Sequence, residues 1–265
     1  EVFSSSSVEE LKGNIGIGSH GTFKTNASIS GASHGFDYFL AGGFTTSDGY
    51  NATTPEAGPY TYNTDKDGYD SSAILGNLAY TLTPGHQLSL NFFNSYNRGD
   101  YDAGFSPNDT VGLTRQQAYS IESTNQLTDW WQSQLKFSFS KVSYDNRAPF
   151  GHSIFGTYHK QFSWQNNFFI DDQQTISAIF EHHDERVHNT SAPTQDKRLT
   201  NSLALLYKGD FDRHHLQASV RHDNISQIGS RTTGSIAYAY DLSSALSVGL
   251  AYNTGFRAPT FADLY

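Results

Sequence analysis

Apolar and polar residues alternate along nearly the whole chain of 265 residues, and this pattern constrains the fold more than any other feature. Residues 246–252 read LSVGLAY, in which every second side chain is large and apolar, and residues 87–93 (QLSLNFF) repeat the pattern. A period of two is that of a β-strand with two unlike faces, whereas an amphipathic helix repeats every 3.6 residues. The sequence therefore predicts thirteen strands, near residues 11–19, 22–30, 36–46, 73–83, 87–97, 114–128, 131–145, 158–170, 174–187, 198–208, 214–224, 232–241 and 246–255.

After the first link, the connections between the predicted strands alternate between short and long. We predict tight turns at 31–35, 83–87, Asp129, 171–174, 208–214 and Ser243, and longer links at 47–72, 98–113, 146–157, 188–197 and 225–231. Short turns at one rim and long loops at the other are typical of an outer-membrane β-barrel, whereas a soluble sandwich has Greek-key crossovers. We expect the short turns to face the periplasm and the long loops to face the exterior. Aromatic residues near the strand ends agree with the girdles of such barrels, although aromatics favour any strand.

Composition narrows the class of protein. No apolar run reaches 18 residues, which excludes a transmembrane helix but not a transmembrane barrel, whose strands alternate. The absence of Cys excludes a disulfide scaffold and Cys-based metal or redox sites. The net charge of −9 argues against a nucleic acid as partner. No nucleophile elbow is present, and GIGSHG (residues 16–21) is not followed by a helical pattern, so we identify no catalytic residues and do not expect an enzyme.

The end of the chain, YNTGFRAPTFADLY (residues 252–265), resembles the strand-and-loop signature of the TonB-dependent outer-membrane transporters, and residues 221–240 resemble the hairpin that precedes it. Four further segments are similar, in order, to the cobalamin-transporting (vitamin B12) branch of this family: GYNATTP (49–55), NTDKDGYD (63–70), NRGDYDAGFSP (97–107) and LTRQQAYS (113–120). The resemblance implies uptake of cobalamin or another scarce nutrient across the bacterial outer membrane, driven by the energy-coupling protein TonB. It also implies contact with outer-membrane lipid, and it leaves a phage or a colicin open as a further partner.

The family has an N-terminal plug inside a 22-stranded barrel. We therefore expect residues 1–265 to be a partial transmembrane β-barrel domain, all-β and antiparallel, with the plug and the C-terminal strands outside this chain. Membrane physics agrees with this expectation, because an open sheet has two unpaired edges that a bilayer does not tolerate. Bacterial barrels formed by one chain also close with an even number of strands.

Acidic residues in two of the predicted long loops are candidates for a metal site. NTDKDGYD (63–70) has the spacing of two EF-hand ligands, but counted from Asp65 its glycine comes at position four, and position twelve is Gly76. The segment is therefore not an EF-hand. The two loops flank one predicted hairpin, so Asp65 and Asp67 can meet Asp102. Spacing alone favours a solvated acidic loop, whereas three clustered carboxylates would require a cation, for which calcium is suited.

The resemblance implies the remaining site residues. It places calcium ligands at Asn51, Asn63, Asp65, Asp67, Tyr101 and Asp102, with backbone contributions at Tyr101 and Ala103. The family has carboxylates at the positions of Asn51 and Leu113, so the resemblance implies one calcium ion and leaves a second open. It also places Ala103 and Phe155 at positions that contact cobalamin, with a loop-anchoring role for Phe155 equally open.

Alternative functions remain at this point. His182, Asp184 and His188 could together contact zinc or haem, although histidines at the base of a loop are more often solvent-facing. His182 and His183 do not chelate one ion, because neighbouring residues of a strand point to opposite faces. A siderophore, haem or zinc receptor of the same architecture is one alternative, and a passive porin or an adhesin barrel is another.

Overall fold

The computed structural model describes residues 9–102, 110–149, 151–190 and 197–261. These residues form one antiparallel sheet in which thirteen strands pair in sequence order. The strands are β1 (Glu10–Ile17), β2 (Phe23–Ser33), β3 (Phe36–Tyr50), β4 (Asp67–Thr83), β5 (His86–Tyr101), β6 (Thr110–Thr128), β7 (Trp131–Ala148), β8 (Gly151–Asp171), β9 (Gln174–Asn189), β10 (Lys197–Phe211), β11 (His214–Ile225), β12 (Gly229–Ser243) and β13 (Leu246–Asn253). All thirteen predicted strands are confirmed. Across the described ranges, no helix has the length and apolar character needed to cross a membrane.

The two faces of the sheet differ in polarity. On the apolar face, the strand register places large apolar residues opposite each other, such as Leu78 and Leu90. On the polar face, Asn77 lies opposite Asn91 and donates a hydrogen bond of 2.7 Å to its side-chain oxygen. The apolar side chains are exposed; Phe137, for example, retains 56% of its accessible surface. An apolar surface of this extent is unfavourable in water, whereas a lipid bilayer would cover it.

The links fall alternately at two rims, but their lengths alternate less regularly than the sequence predicts, because β7 ends at Ala148 and β8 already begins at Gly151, where a long link was expected. At the short-turn rim, every link has two residues: 34–35, 84–85, 129–130, 172–173, 212–213 and 244–245. In the first of these turns, His34 and Gly35 have φ values of 50° and 82°, and two residues with positive φ are what the tightest hairpin turns require. The opposite rim, which we call the long-loop rim, contains the longer predicted links.

The long links are shorter than the sequence predicts, and this is a correction. The link predicted at 47–72 spans only 51–66, because β3 continues to Tyr50 and β4 begins at Asp67. Similarly, β8 begins at Gly151, so Phe155 lies in a strand and not in a loop. At the ends of these strands neither face must be apolar, so the alternation fades while the backbone hydrogen bonding continues. The periodic pattern therefore marks only the part of each strand that needs an apolar face.

Candidate functional site

Irregular pairing between β3 and β4 sets the position of Asp67. The register shifts between Ser47 and Tyr50, and Gly49 within this bulge has a φ of 70°. A Cβ atom at Gly49 would lie 1.8 Å from the carbonyl oxygen of Asp67. Only glycine permits this approach of the two backbones, which holds Asp67 at the start of β4 against the bulge.

Hydrogen bonds between polar groups hold the acidic loop, which we define as residues 51–66. Asn51 donates from Nδ2 to the carbonyl oxygen of Asn63 at 2.6 Å, and Asn63 donates from Nδ2 to Asp65 Oδ2 at 3.0 Å. The backbone N–H of Ala52 donates to Asp67 Oδ2 at 2.8 Å. The start and the end of the loop are therefore joined, and four of the predicted ligand residues share one network.

Asp102 joins this network through Thr53. The Thr53 hydroxyl donates a hydrogen bond to Asp102 Oδ2. The backbone N–H of Thr53 donates to Asn51 Oδ1 at 3.0 Å. Asp102 directly follows β5, so the acidic loop contacts the start of the next link at the long-loop rim. Their contact agrees with the prediction that two loops flanking one hairpin meet.

Three of these aspartates each have a buried carboxylate oxygen that accepts no hydrogen bond, namely Oδ1 of Asp65, Asp67 and Asp102. Asp100 Oδ1 also lacks an aligned donor, but it lies 2.8 Å from the guanidinium of Arg98. Buried polar atoms in native proteins almost always have a partner, and an unpaired anionic oxygen is the costliest exception. A cation bound between the two loops would satisfy these oxygens.

Electrostatics at this rim favour a cation. Asp100 lies at the end of β5, beyond the part of the strand with an apolar face. Burial raises the pKa of the Asp100 carboxyl; Arg98 opposes the rise, and the charges of Asp70 and Asp67 add to it. Negative charge is thus crowded where the acidic loop contacts the end of β5.

The carboxylates do not converge as one cluster. Among the residues that the structure describes, no three His, Cys, Asp or Glu side chains form a group that could hold a metal ion. Thr53 and the amides of Asn51 and Asn63 lie between the aspartates and bond to them. An ion at this place would therefore need amide and backbone carbonyl oxygens in addition to carboxylates, a mixture that calcium accepts.

The other predicted site residues have distinct surroundings. Tyr101 donates its hydroxyl hydrogen to Asn146 Oδ1 at 2.7 Å, so its side chain is directed along the polar face towards β7. The backbone carbonyl oxygen of Tyr101 stays a predicted ligand, as the resemblance implies. Ala103 lies outside the described residues. His182 Nδ1 lies 2.7 Å from Asn201 Oδ1, and within the described ranges it belongs to no metal-binding group.

Phe155 belongs to a group of aromatic residues on the polar face that sequence reasoning did not identify. Tyr144 of β7 lies directly opposite Phe155 of β8. A Cβ atom at Gly112 would lie 3.3 Å from the Tyr144 hydroxyl oxygen and 3.5 Å from a ring carbon of Tyr101, so both tyrosines pack over this glycine. We call Tyr101, Tyr144 and Phe155 the aromatic wall. This group could be identified only from the strand register, which the local sequence does not determine.

Comparison with known proteins identifies the family. Residues 13–265 match the family described as TonB dependent receptor-like, beta-barrel. This chain belongs to that family. It is an outer-membrane barrel protein, and the bilayer covers the apolar face of its sheet.

The chain is similar to curated transporters over part of their length. It is 24% identical over 212 residues to the vitamin B12 transporter BtuB of Photobacterium profundum, covering 77% of this chain and 34% of the relative. It is 26% identical over 227 residues to the vitamin B12 transporter BtuB of Vibrio vulnificus, covering 83% of this chain and 36% of the relative. The chain thus spans about a third of the length of these relatives.

Solved structures confirm the fold. The siderophore receptor PirA of Acinetobacter baumannii superposes with a TM-score of 0.78 at 14% identity, covering 96% of this chain and 44% of that chain. A variant of the ferric enterobactin receptor PfeA of Pseudomonas aeruginosa superposes with a TM-score of 0.77 at 14% identity, covering 98% and 46%. At these identities the likeness shows the fold alone.

Proposed function

We propose that the whole protein is an active transporter that takes up cobalamin across the outer membrane, with calcium ordering the external loops that receive the substrate. The observation that carries the proposal is the contact of two loops through Thr53, which leaves buried carboxylate oxygens of three aspartates without donors. The names of the curated relatives support cobalamin as the substrate. Energy coupling by TonB would act through the plug that the resemblance to the family implies.

Calcium fits the donor set of the two loops. The Oδ1 atoms of Asp65, Asp67 and Asp102 would supply the negative charge, and the amide oxygens of Asn51 and Asn63 with the Tyr101 carbonyl would complete the coordination. Bound calcium would fix the loops before the substrate arrives, so less conformational entropy is lost on binding. Asn51 replaces a charged ligand, so we expect one ion with a dissociation constant of roughly 10⁻⁴–10⁻³ M.

The aromatic wall supports a large, ring-containing substrate. Phe155 retains 43% of its accessible surface on the polar face, at the same rim as the acidic loop. Exposed aromatic faces bind flat or ring-shaped ligands well, and tyrosine hydroxyls add hydrogen bonds. A ferric siderophore is the second candidate, because the aromatic groups of such ligands would suit the same wall.

Equilibrium binding to the full-length protein tests the substrate. We expect radiolabelled cobalamin to bind and a ferric siderophore not to compete with it. Phe155→Ala should weaken cobalamin binding about tenfold, since truncation of a contact aromatic costs more than 1 kcal/mol. Leu206→Ala is the matched control, because Leu206 is also on the polar face and is 38% exposed, but it lies near the short-turn rim.

Two results would contradict the assignment. Siderophore binding without cobalamin binding would show that the substrate is a ferric siderophore and not cobalamin. Equal cobalamin affinities for Phe155→Ala and Leu206→Ala would show that the aromatic wall does not contact the substrate.

A further inference from the structure

A histidine at the short-turn rim bridges two aspartates on the polar face. His215 is the second residue of β11, and Asp210 of β10 lies directly opposite it. Asp210 Oδ1 lies 2.9 Å from Nδ1 of the His215 ring, and Asp241 Oδ2 of β12 lies 2.9 Å from Nε2 of the same ring. One side chain therefore joins the ends of three strands.

Both ring nitrogens of His215 must carry a hydrogen in this geometry. An ionised carboxylate only accepts hydrogen bonds, and a neutral imidazole has a single N–H. Carboxylate oxygens at hydrogen-bond distance from both nitrogens therefore require the charged imidazolium. If the ring lost one proton, a nitrogen lone pair would face a carboxylate oxygen at one of the two contacts, and only the other contact could be kept.

Charged residues of three elements surround His215. They are Lys208 and Asp210 of β10, Asp241 of β12, and Asp212 and Arg213 of the turn that joins β10 to β11. Asp210 has a second cationic partner, since Lys208 Nζ lies 2.8 Å from its Oδ2. Among the residues that the structure describes, His215 is the only cation within ion-pair distance of Asp241.

Uncharged side chains complete these surroundings. Thr175 of β9 lies opposite Lys208, and Ser247 of β13 donates from its hydroxyl to Asp241 Oδ1. Through Asp241, the bridge thus reaches a fourth strand. No neighbour on β9 or β13 named here titrates near neutral pH, so a change of charge in this range belongs to His215.

The neighbouring His214 shows that His215 lies at the level of the membrane interface. His214 is on the apolar face, where its ring packs against Tyr240 with centroids 4.8 Å apart and its Nδ1 lies 2.6 Å from the Tyr238 hydroxyl oxygen. Tyrosines are typical of the boundary between hydrocarbon and water. His215 is therefore outside the hydrocarbon region, and 37% of its side-chain surface is exposed.

The turn that joins β10 to β11 is strained. Asp212 in this turn has a φ of 51°, in the left-handed region that disfavours residues with a side chain, and neither turn residue is a glycine. By contrast, the turns at 34–35 and 84–85 each contain a glycine with positive φ. The bridge through His215 holds the strand ends on both sides of the strained turn and so opposes its opening.

We propose that His215 is a pH-sensitive latch across the ends of β10, β11 and β12, closed while its imidazole is protonated and released when the proton is lost. Hydrogen bonds to Asp241 and Asp210 raise the pKa of His215 above its ordinary value. The latch therefore stabilises the rim fully below about pH 6.5, and this stabilisation is lost as the pH rises through the raised pKa. The latch lies at the rim opposite the acidic loop and does not depend on the substrate.

Hydrogen exchange of the detergent-solubilised full-length protein between pH 5.5 and pH 9 tests the latch. The readout is the protection factor of the turn at 212–213, corrected for the intrinsic pH dependence of exchange. An exposed ion pair changes a local opening equilibrium by up to about fivefold, so protection of this turn should fall about fivefold in one step as the pH rises. His215→Gln should remove the step and leave the lower protection at every pH.

Two further variants separate the latch from general effects of pH. His214→Gln is the matched control, because His214 is the adjacent histidine but contacts tyrosines on the opposite face, and this variant should keep the step. Asp241→Asn keeps the histidine and removes one carboxylate, so its step should move to lower pH, and it decides the matter if His215→Gln fails to fold. The proposal is overturned if the unmutated protein shows no step, or if His215→Gln shows the same step as His214→Gln. It is also overturned if Asp241→Asn leaves the step at the pH of the unmutated protein.

Discussion

Gly49→Ala should open the acidic loop more than any other glycine substitution near it. Gly49 has a φ of 70°, and its missing Cβ would lie 1.8 Å from the Asp67 carbonyl oxygen. Gly58 in the same loop has a φ of 83°, but a Cβ there would meet nothing within 4 Å. The two positions thus share the backbone strain, and only Gly49 adds a collision with backbone.

The expected loss of stability of the closed loop follows from the backbone strain and from the collision. An alanine in the left-handed region costs about 1 kcal/mol, which applies to both variants. Relieving the collision at Gly49 moves one strand end by more than an ångström and breaks one or two hydrogen bonds, such as that from the Gly49 N–H to Ser47 Oγ at 3.2 Å. At about 1 kcal/mol for each bond, Gly49→Ala should destabilise the closed loop by about 2 kcal/mol more than Gly58→Ala.

Limited proteolysis of the folded full-length protein measures this difference. Trypsin can cleave after the exposed Lys66 at the end of the loop, and the rate follows the population of the open form. Cleavage should be about fivefold faster in Gly58→Ala than in the unmutated protein, and about thirtyfold faster again in Gly49→Ala. Equal rates for the two variants would show that the bulge does not hold Asp67, and would refute the reasoning.

Three further predictions follow from the structure. The Asp65→Ala, Asp67→Ala double variant should keep the barrel folded, with a Tm within about 2 °C of the unmutated protein, because the loop is outside the bilayer; a large fall would mean that the barrel depends on these acids. Cys at Lys66 should react with an impermeant reagent on intact cells, whereas Cys at Asp172 should not, and the reverse pattern would invert the orientation. The Arg147 and His152 side chains hold the pKa of Asp145 below its usual value. The interaction of the Asp145 carboxylate with these two side chains therefore stabilises the long-loop end of β7 and β8 above about pH 4, and this stabilisation is lost as the pH falls through the lowered pKa. The hydrogen-exchange protection factors there, corrected for the intrinsic pH dependence of exchange, should fall on acidification in the unmutated protein but not in Asp145→Asn.

The strands were predictable because a membrane-spanning strand needs one apolar face. That requirement produces an alternation of apolar and polar residues with a period of two, as in residues 87–93 of β5. The turns were predictable too, because two-residue hairpins need residues such as Gly35 and Gly85 that adopt positive φ. Strand ends beyond the bilayer were placed wrongly, since hydrogen bonding alone leaves no pattern of side chains, and Phe155 was assigned to a loop for this reason.

The site was only partly predictable. Asp65, Asp67 and Asp102 came from spacing and from the order of the loops, but the connection through Thr53 depends on three-dimensional packing. The bulge at Gly49 was not apparent, because one glycine in a polar stretch has many meanings. Tyr144 required the register between β7 and β8, which local sequence does not determine.

Calorimetric titration of cobalamin into the full-length protein, with calcium and with a chelator, tests the central claim most directly. If calcium bound by the acidic loops prepares the substrate surface, calcium should produce its own binding heat, and cobalamin should bind more tightly in its presence. The Asp65→Ala, Asp67→Ala double variant should lose both effects while its barrel stays folded. Cobalamin affinity that is the same with calcium and with chelator, together with no heat on calcium addition, would contradict the account and leave the acidic loop as a hydrated surface.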